Sequence, residues 1–217
     1  MPNTIQPTAF GNGRRINSKQ EETIRKKNMK TINVKQEIDR RNKQFKGASN
    51  AQKRVLIAKD VIEQIKAKRF IPESGTWVDF NKQCDTLLET DSIQEKFLDK
   101  TIKDCNCCAL GGLMMSCTLF NNREEVGDIE GHFEMIGDNI DYRTKFHNKF
   151  DKIFSRNQLK LIEKCFEGGV GYFCDDNYCD FEDYRSQFKN ATAALIGIME
   201  NIIKNKGTFK PVFDKEI

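Results

Sequence analysis

Of the residues in this chain able to do chemistry, only the cysteines fall at spacings that suggest a site. There are eight, at positions 84, 105, 107, 108, 117, 165, 174 and 179. Cys105-x-Cys107-Cys108 opens onto an uncharged run, and Cys174-x4-Cys179 lies in an acidic stretch. A structural zinc ion takes four soft ligands in a tetrahedron, usually as two close pairs that the fold brings together. Cys105, Cys107, Cys108, Cys174 and Cys179 supply candidate pairs. Both spacings are looser than a repeated C-x2-C, however, and Cys174 follows Cys108 by 66 positions. Cys107 or Cys108 at a helix N-terminus would also have the depressed pKa of a reactive thiol, but no histidine is near in sequence to complete a Cys–His pair. The simpler expectation is reduced thiols packed as small hydrophobes, with zinc as the alternative and otherwise no cofactor and no catalytic residue.

Other catalytic patterns fail. There is no G-x-x-x-x-G-K-[ST], no G-x-S-x-G and no H-E-x-x-H. GGVGYF (168–173) lacks the lysine of a phosphate loop and follows a helical pattern, so it is expected to be a helix end and a turn. DDNYCDFEDYRS (175–186) begins like a calcium loop but lacks its glycine at the sixth place and its glutamate at the twelfth. His132 and His147 are the only histidines, and His147 sits among Lys145, Lys149 and Phe150, as a surface histidine would. Acid pairs such as Asp175-Asp176 and Glu182-Asp183 are abundant, and abundance without fixed geometry does not make an acid–base site.

The elements that must position these residues are mostly helical. Ser49 with Gln52, Ser92 with Glu95 and Ser155 with Gln158 have the capping-box spacing that opens a helix. Apolar residues follow at helical spacing: Val55, Ala58, Val61 and Ile65; then Ile93, Phe97 and Ile102; then Leu159, Ile162 and Phe166, closing at Gly168-Gly169. Tyr142, Phe146, Phe150 and Ile153 mark another helix, and a last one runs from Phe181 through Phe188 and Leu195 to Gly207. TWVDF (76–80) has β-favouring residues and is expected to pair with CDTLL (84–88), while TFKPVF (208–213) suggests an edge strand. The uncharged run 107–120 is too short for a membrane and suits a helix buried on every side. Gly111-Gly112 would cost that helix about 2 kcal/mol relative to two alanines, which implies a close backbone approach at both. Residues 121–139 are acidic and glycine-punctuated, as a loop would be. The expected fold class is mainly α: a single helical domain with a small β element, preceded by a basic, extended or partly helical N-terminal arm.

Charge draws the division. Residues 1–54 hold 14 Lys and Arg against 4 Asp and Glu, a net of +10, whereas residues 55–217 hold 22 against 28, a net of −6. The expected organisation is therefore an arm, 1–54, on an acidic helical body, 55–217, with Arg14, Arg15, Lys26, Lys27, Lys30, Lys35, Arg40, Arg41, Lys43 and Lys46 as the binding residues. Ser18 and Glu21 have cap spacing, so a helix is expected near Lys19. Val34, Ile38 and Phe45 form one narrow apolar stripe on a basic helix, which is marginal alone in water and gains order from a partner surface. With so few large apolar residues, the arm is expected to add nothing to the core. Its partners would be an acidic protein groove, nucleic acid, or the acidic body of another copy. No membrane partner is expected, because no apolar run approaches the roughly 18 residues of a span. MPNTIQPTAFGNGRR lacks the apolar stretch of a signal peptide, so the expected location is the cytoplasm.

RVLIAKDVIEQIKAKRFIPESGTWV (54–78), CNCCALGGL (105–113), FSRNQLKLIEKCFEGG (154–169) and IMENIIKNKGTFKP (198–211) occur in this order. Together they resemble a set of small uncharacterised proteins encoded by phages and mobile elements. The resemblance covers about 54–212 and leaves the basic arm outside. It implies a phage origin, with a location in the host cytoplasm or virion, and no chemistry. Three function classes follow: a non-enzymatic phage-type protein that binds a virion or host neighbour or a polyanion, a nucleic-acid-binding regulator, and a thiol or metal module centred on Cys105–Cys108.

Overall fold

The serine caps open helices where their spacing places them. In the computed structural model, which describes residues 33–80, 92–121, 150, 152–168 and 178–213, helix α1 (33–46) is followed by α2 (Asn50–Lys66). Two short strands come next, β1 (Phe70–Pro72) and β2 (Val78–Asp79), then α3 (Ile93–Leu98), β3 (Cys105–Cys107) and α4 (Ala109–Asn121). The described chain ends with α5 (Arg156–Glu167), α6 (Tyr178–Ser186) and α7 (Ala191–Lys204). Ser49 and Gln52 form a complete capping box on α2, and the Ser92 and Ser155 hydroxyls accept the Glu95 and Gln158 N–H groups. Gly168 ends α5 in the left-handed conformation, with φ of 70°. The fold is mainly α with one small sheet, and among the described residues no helix is long and apolar enough to cross a membrane.

Helix α4 lies at the centre, and every residue from Ala109 to Phe120 is buried. It packs against α2, α3, α5 and the sheet. The sheet has the order β1-β3-β2, with β3 parallel to β1 (Phe70 opposite Cys105) and antiparallel to β2 (Val78 opposite Cys107). The partner of β2 is thus β3, where the sequence suggested 84–88, a stretch that lies outside the described residues. At Gly111 an ideal Cβ would collide with the Trp77 carbonyl oxygen, so the close backbone approach is real: the chain entering β2 crosses α4 there. Gly112 differs from its neighbour. A Cβ there would meet the Cys107 sulfur at 3.5 Å and Leu195 at 3.7 Å, which is ordinary side-chain contact rather than a backbone crossing.

Three further expectations change. The last helix is two: α6 ends at Ser186, and Asn190 starts α7 by accepting the Ala193 N–H at 2.8 Å. The segment after α7 forms no strand. Gln158 and Asn201 instead satisfy its backbone through their amides, at Phe209 (2.7 Å from its N–H) and Lys210 (2.8 Å from its N–H), and the Phe209 ring is buried. Arg54 reinforces this closure by donating to the Gly207 and Ile153 carbonyls. Finally, α1 is no detached arm. Phe45 is 1% exposed and stacks on Phe120 at 5.5 Å, and Arg41 is buried against Asp60. Phe45, the last residue of the Val34–Ile38–Phe45 stripe, finds its surface in the chain's own body, so one aromatic ring and one ion pair bring α1 into the fold.

Candidate functional site

Strand β3 alternates, so Cys105 and Cys107 both point into the core while Asn106 faces outward and donates to Glu73 at 2.7 Å. The hydrogen bond with Cys105, together with burial, pushes the Cys107 thiol well above its ordinary range. Cys108 caps α4: its sulfur accepts the Gly111 N–H at 3.4 Å. A helix N-terminus favours a thiolate, but complete burial dominates and drives the Cys108 pKa strongly upward, with the carboxylates of Glu163 and Glu167 adding to the rise. Cys165 is pushed up to about 12 by burial, and Cys117 is also buried. All are free and buried, and the upward shifts at Cys107, Cys108 and Cys165 hold those three thiols protonated at neutral pH, the opposite of the reactive cysteine that a helix N-terminus suggested. Zinc needs deprotonated sulfur. Cys174 lies outside the described residues, as does the side chain of Cys179 in α6. Among the described residues no group of three or more His, Cys, Asp or Glu side chains is placed to hold a metal ion.

Behind Cys108, α5 presents Glu163 and Glu167 one turn apart. Glu167 accepts the Gly75 N–H at 3.1 Å and so ties the turn between β1 and β2 to α5. Burial pushes Glu163 up to about 7, and the Glu167 charge contributes. One Glu163 oxygen is buried without a hydrogen-bond partner. Glu163 can hold a proton near neutrality, and the neighbouring Cys108 thiol is itself held protonated by burial. The only signal in sequence is an E-x3-E spacing beside Ile162, Cys165 and Phe166, which is common on any half-exposed helix.

The basic residues divide. Lys35, Lys43 and Lys46 are exposed on α1. Arg40 is exposed as well and makes a two-pronged pair with Glu37, both contacts at 2.7 Å, which holds the Glu37 carboxyl down to about 2. Arg41, one residue on, points inward: it donates to Glu37 at 2.8 Å and to Asp60 at 2.9 Å, and its guanidinium lies 5.3 Å from the Phe120 ring centre. Asp60 also accepts from Ser116 at 2.7 Å and Gln64 at 3.0 Å. Arg41 is therefore turned into the fold as an anchor, away from the exposed surface that carries Lys35, Lys43 and Lys46. Arg14, Arg15, Lys26, Lys27 and Lys30 lie outside the described residues.

Where α1 turns into α2, an open groove of about 820 Å³ runs toward the end of α7. Ala51, Val55, Leu56 and Ile203 line it, with Lys59 and Lys206 as the charged residues among its described lining. Neither the groove nor the Arg41–Asp60 anchor is visible in the sequence, since each joins segments far apart in the chain and neither has a local motif. Comparison with protein-family models, with curated proteins and with solved structures finds no match for this chain.

Proposed function

We propose that this protein acts by binding and not by catalysis, with its basic N-terminal segment engaging an acidic protein neighbour. The observation that carries the reading is the orientation of α1. Arg41 and Phe45 fix one side of the helix to the body, which leaves Lys35, Lys43 and Lys46 in solvent as a rigidly held extension of the basic residues that precede it. A row of cations on an anchored helix attracts an acidic surface without first having to order itself. The resemblance to phage and mobile-element proteins suits a virion or host protein as that neighbour, in the host cytoplasm or the virion. The buried, protonated thiols argue against a cysteine-based activity.

The test compares the full chain with a variant in which Arg14, Arg15, Lys26, Lys27 and Lys30 are all replaced by Gln. Both are titrated against labelled polyglutamate and labelled duplex DNA at low and high salt. The expected result is salt-sensitive polyglutamate binding that the variant loses. Equal binding by both proteins contradicts the reading. Duplex DNA bound far more tightly than polyglutamate, with the steep salt dependence of counterion release, favours a nucleic-acid-binding regulator instead.

A further inference from the structure

We infer that the groove between α1, α2 and α7 is a docking site for an acidic amphipathic helix from a partner protein. This rests on the binding reading above and names the second half of the contact. The floor is apolar and incompletely covered: Ala51, Val55, Leu56 and Ile203 are each only half-buried. Among the described residues that line it, the charged ones are Lys59, on α2, and Lys206, just beyond α7, and none is Asp or Glu. At the α1 end the wall is small. A side chain at Gly47 would meet nothing closer than the Lys43 carbonyl at 3.7 Å, and Ala48 follows, so a partner backbone can come close.

These features select the chemistry of the occupant. An apolar trough asks for side chains at i, i+3, i+4 and i+7 of a helix, the arrangement that fills hydrophobic grooves elsewhere. Lysines from α2 and from just beyond α7 ask for carboxylates flanking that stripe, and they disfavour a basic helix by like-charge contact. A phosphate backbone would meet two ammonium groups and leave the apolar floor uncovered. Exposed Lys43 and Lys46 extend the same positive potential along α1, so the helix-binding groove and the basic segment would serve one partner together.

The experiment uses the full chain and two labelled peptides of about 18 residues, long enough for a stable bound helix. Both carry leucine at i, i+3, i+4 and i+7; the remaining positions are glutamate in one and lysine in the other. Fluorescence anisotropy should show the glutamate peptide binding and the lysine peptide not. In the double variant Lys59→Glu with Lys206→Glu, both exposed positions, glutamate-peptide affinity should fall by about tenfold or more and the lysine peptide should gain binding. Val55→Ser should weaken the glutamate peptide while leaving polyglutamate, which has no apolar stripe, bound as before. An unchanged affinity in both groove variants, or a lysine peptide bound as tightly by the unmodified chain, overturns the groove proposal. Polyglutamate binding that still depends on the basic segment then leaves the broader reading standing, whereas failure of both probes to bind removes both.

Discussion

Replacing Arg41 with leucine, and Arg40 with leucine for comparison, asks how firmly α1 belongs to the body. The two residues are adjacent and share Glu37, but the Arg40 side chain is 60% exposed and that of Arg41 is 11% exposed. Removing one partner of a buried pair costs about 3–5 kcal/mol because the other charge is left uncompensated. Asp60 keeps its hydrogen bonds from Ser116 and Gln64, which soften the penalty, while the contact of Arg41 with the Phe120 ring is lost and adds to it. The expected cost of Arg41→Leu is therefore about 3 kcal/mol. Arg40→Leu loses only an exposed pair and should cost about 0–1 kcal/mol. Adding Asp60→Asn to Arg41→Leu removes the orphaned charge, so the double variant should be less destabilised than the sum of the singles by about 1–3 kcal/mol. Urea unfolding of the full chain near pH 7 gives all of these values from shifts in midpoint at constant slope. If Arg41→Leu costs no more than Arg40→Leu, α1 merely rests on the surface and the anchored-helix argument is wrong.

Three more outcomes follow from the core. Gly111→Ala should cost about 1–3 kcal/mol through its clash with the Trp77 carbonyl, while Gly112→Ala should be neutral or stabilising by up to about 1 kcal/mol, both read in urea melts. Glu163 stays protonated in the folded state up to about pH 7 but ionises near 4.5 when unfolded, so the folded state binds the extra proton between these values. Stability should thus fall as pH rises through that window, and Glu163→Gln should flatten the profile and stabilise the protein above pH 7 by about 2–4 kcal/mol; an unchanged profile would refute the assignment. A thiol reagent applied to the native protein at pH 8 should leave Cys105, Cys107, Cys108, Cys117 and Cys165 unmodified, and all eight cysteines should react in urea. Rapid native reaction at Cys108 would contradict its burial.

The helix starts were legible because a cap is a local device: Ser49, Ser92 and Ser155 each act on a residue three positions away. The charge-free run around Gly111 likewise announced a central helix, since nothing else buries that many apolar side chains. The sheet was mostly hidden. Strands of two or three residues, one ending in Pro72 and one centred on Asn106, are too short to show a two-residue period. The break at Asn190 was masked because Phe181, Tyr184 and Phe188 keep a helical spacing up to it. A Cβ at Gly197 would strike the Phe188 ring, which shows how closely the turned segment packs back on α7. The membership of α1 was invisible for a different reason. Net charge is a sum over the segment, whereas anchoring depends on two residues, Arg41 and Phe45, whose partners Asp60 and Phe120 lie 19 positions and farther along the chain.

The central claim is that an anchored α1 and the adjoining groove form one binding face. Hydrogen–deuterium exchange of the full chain, with and without saturating glutamate–leucine peptide, tests it most directly because it reports location as well as binding. The account predicts slowed exchange confined to the last turn of α1, the turn at Gly47–Ser49, α2 as far as Lys59 and the end of α7 around Ile203–Gly207. Slowed exchange over the exposed surface of α5, or none anywhere at saturating peptide, would contradict it.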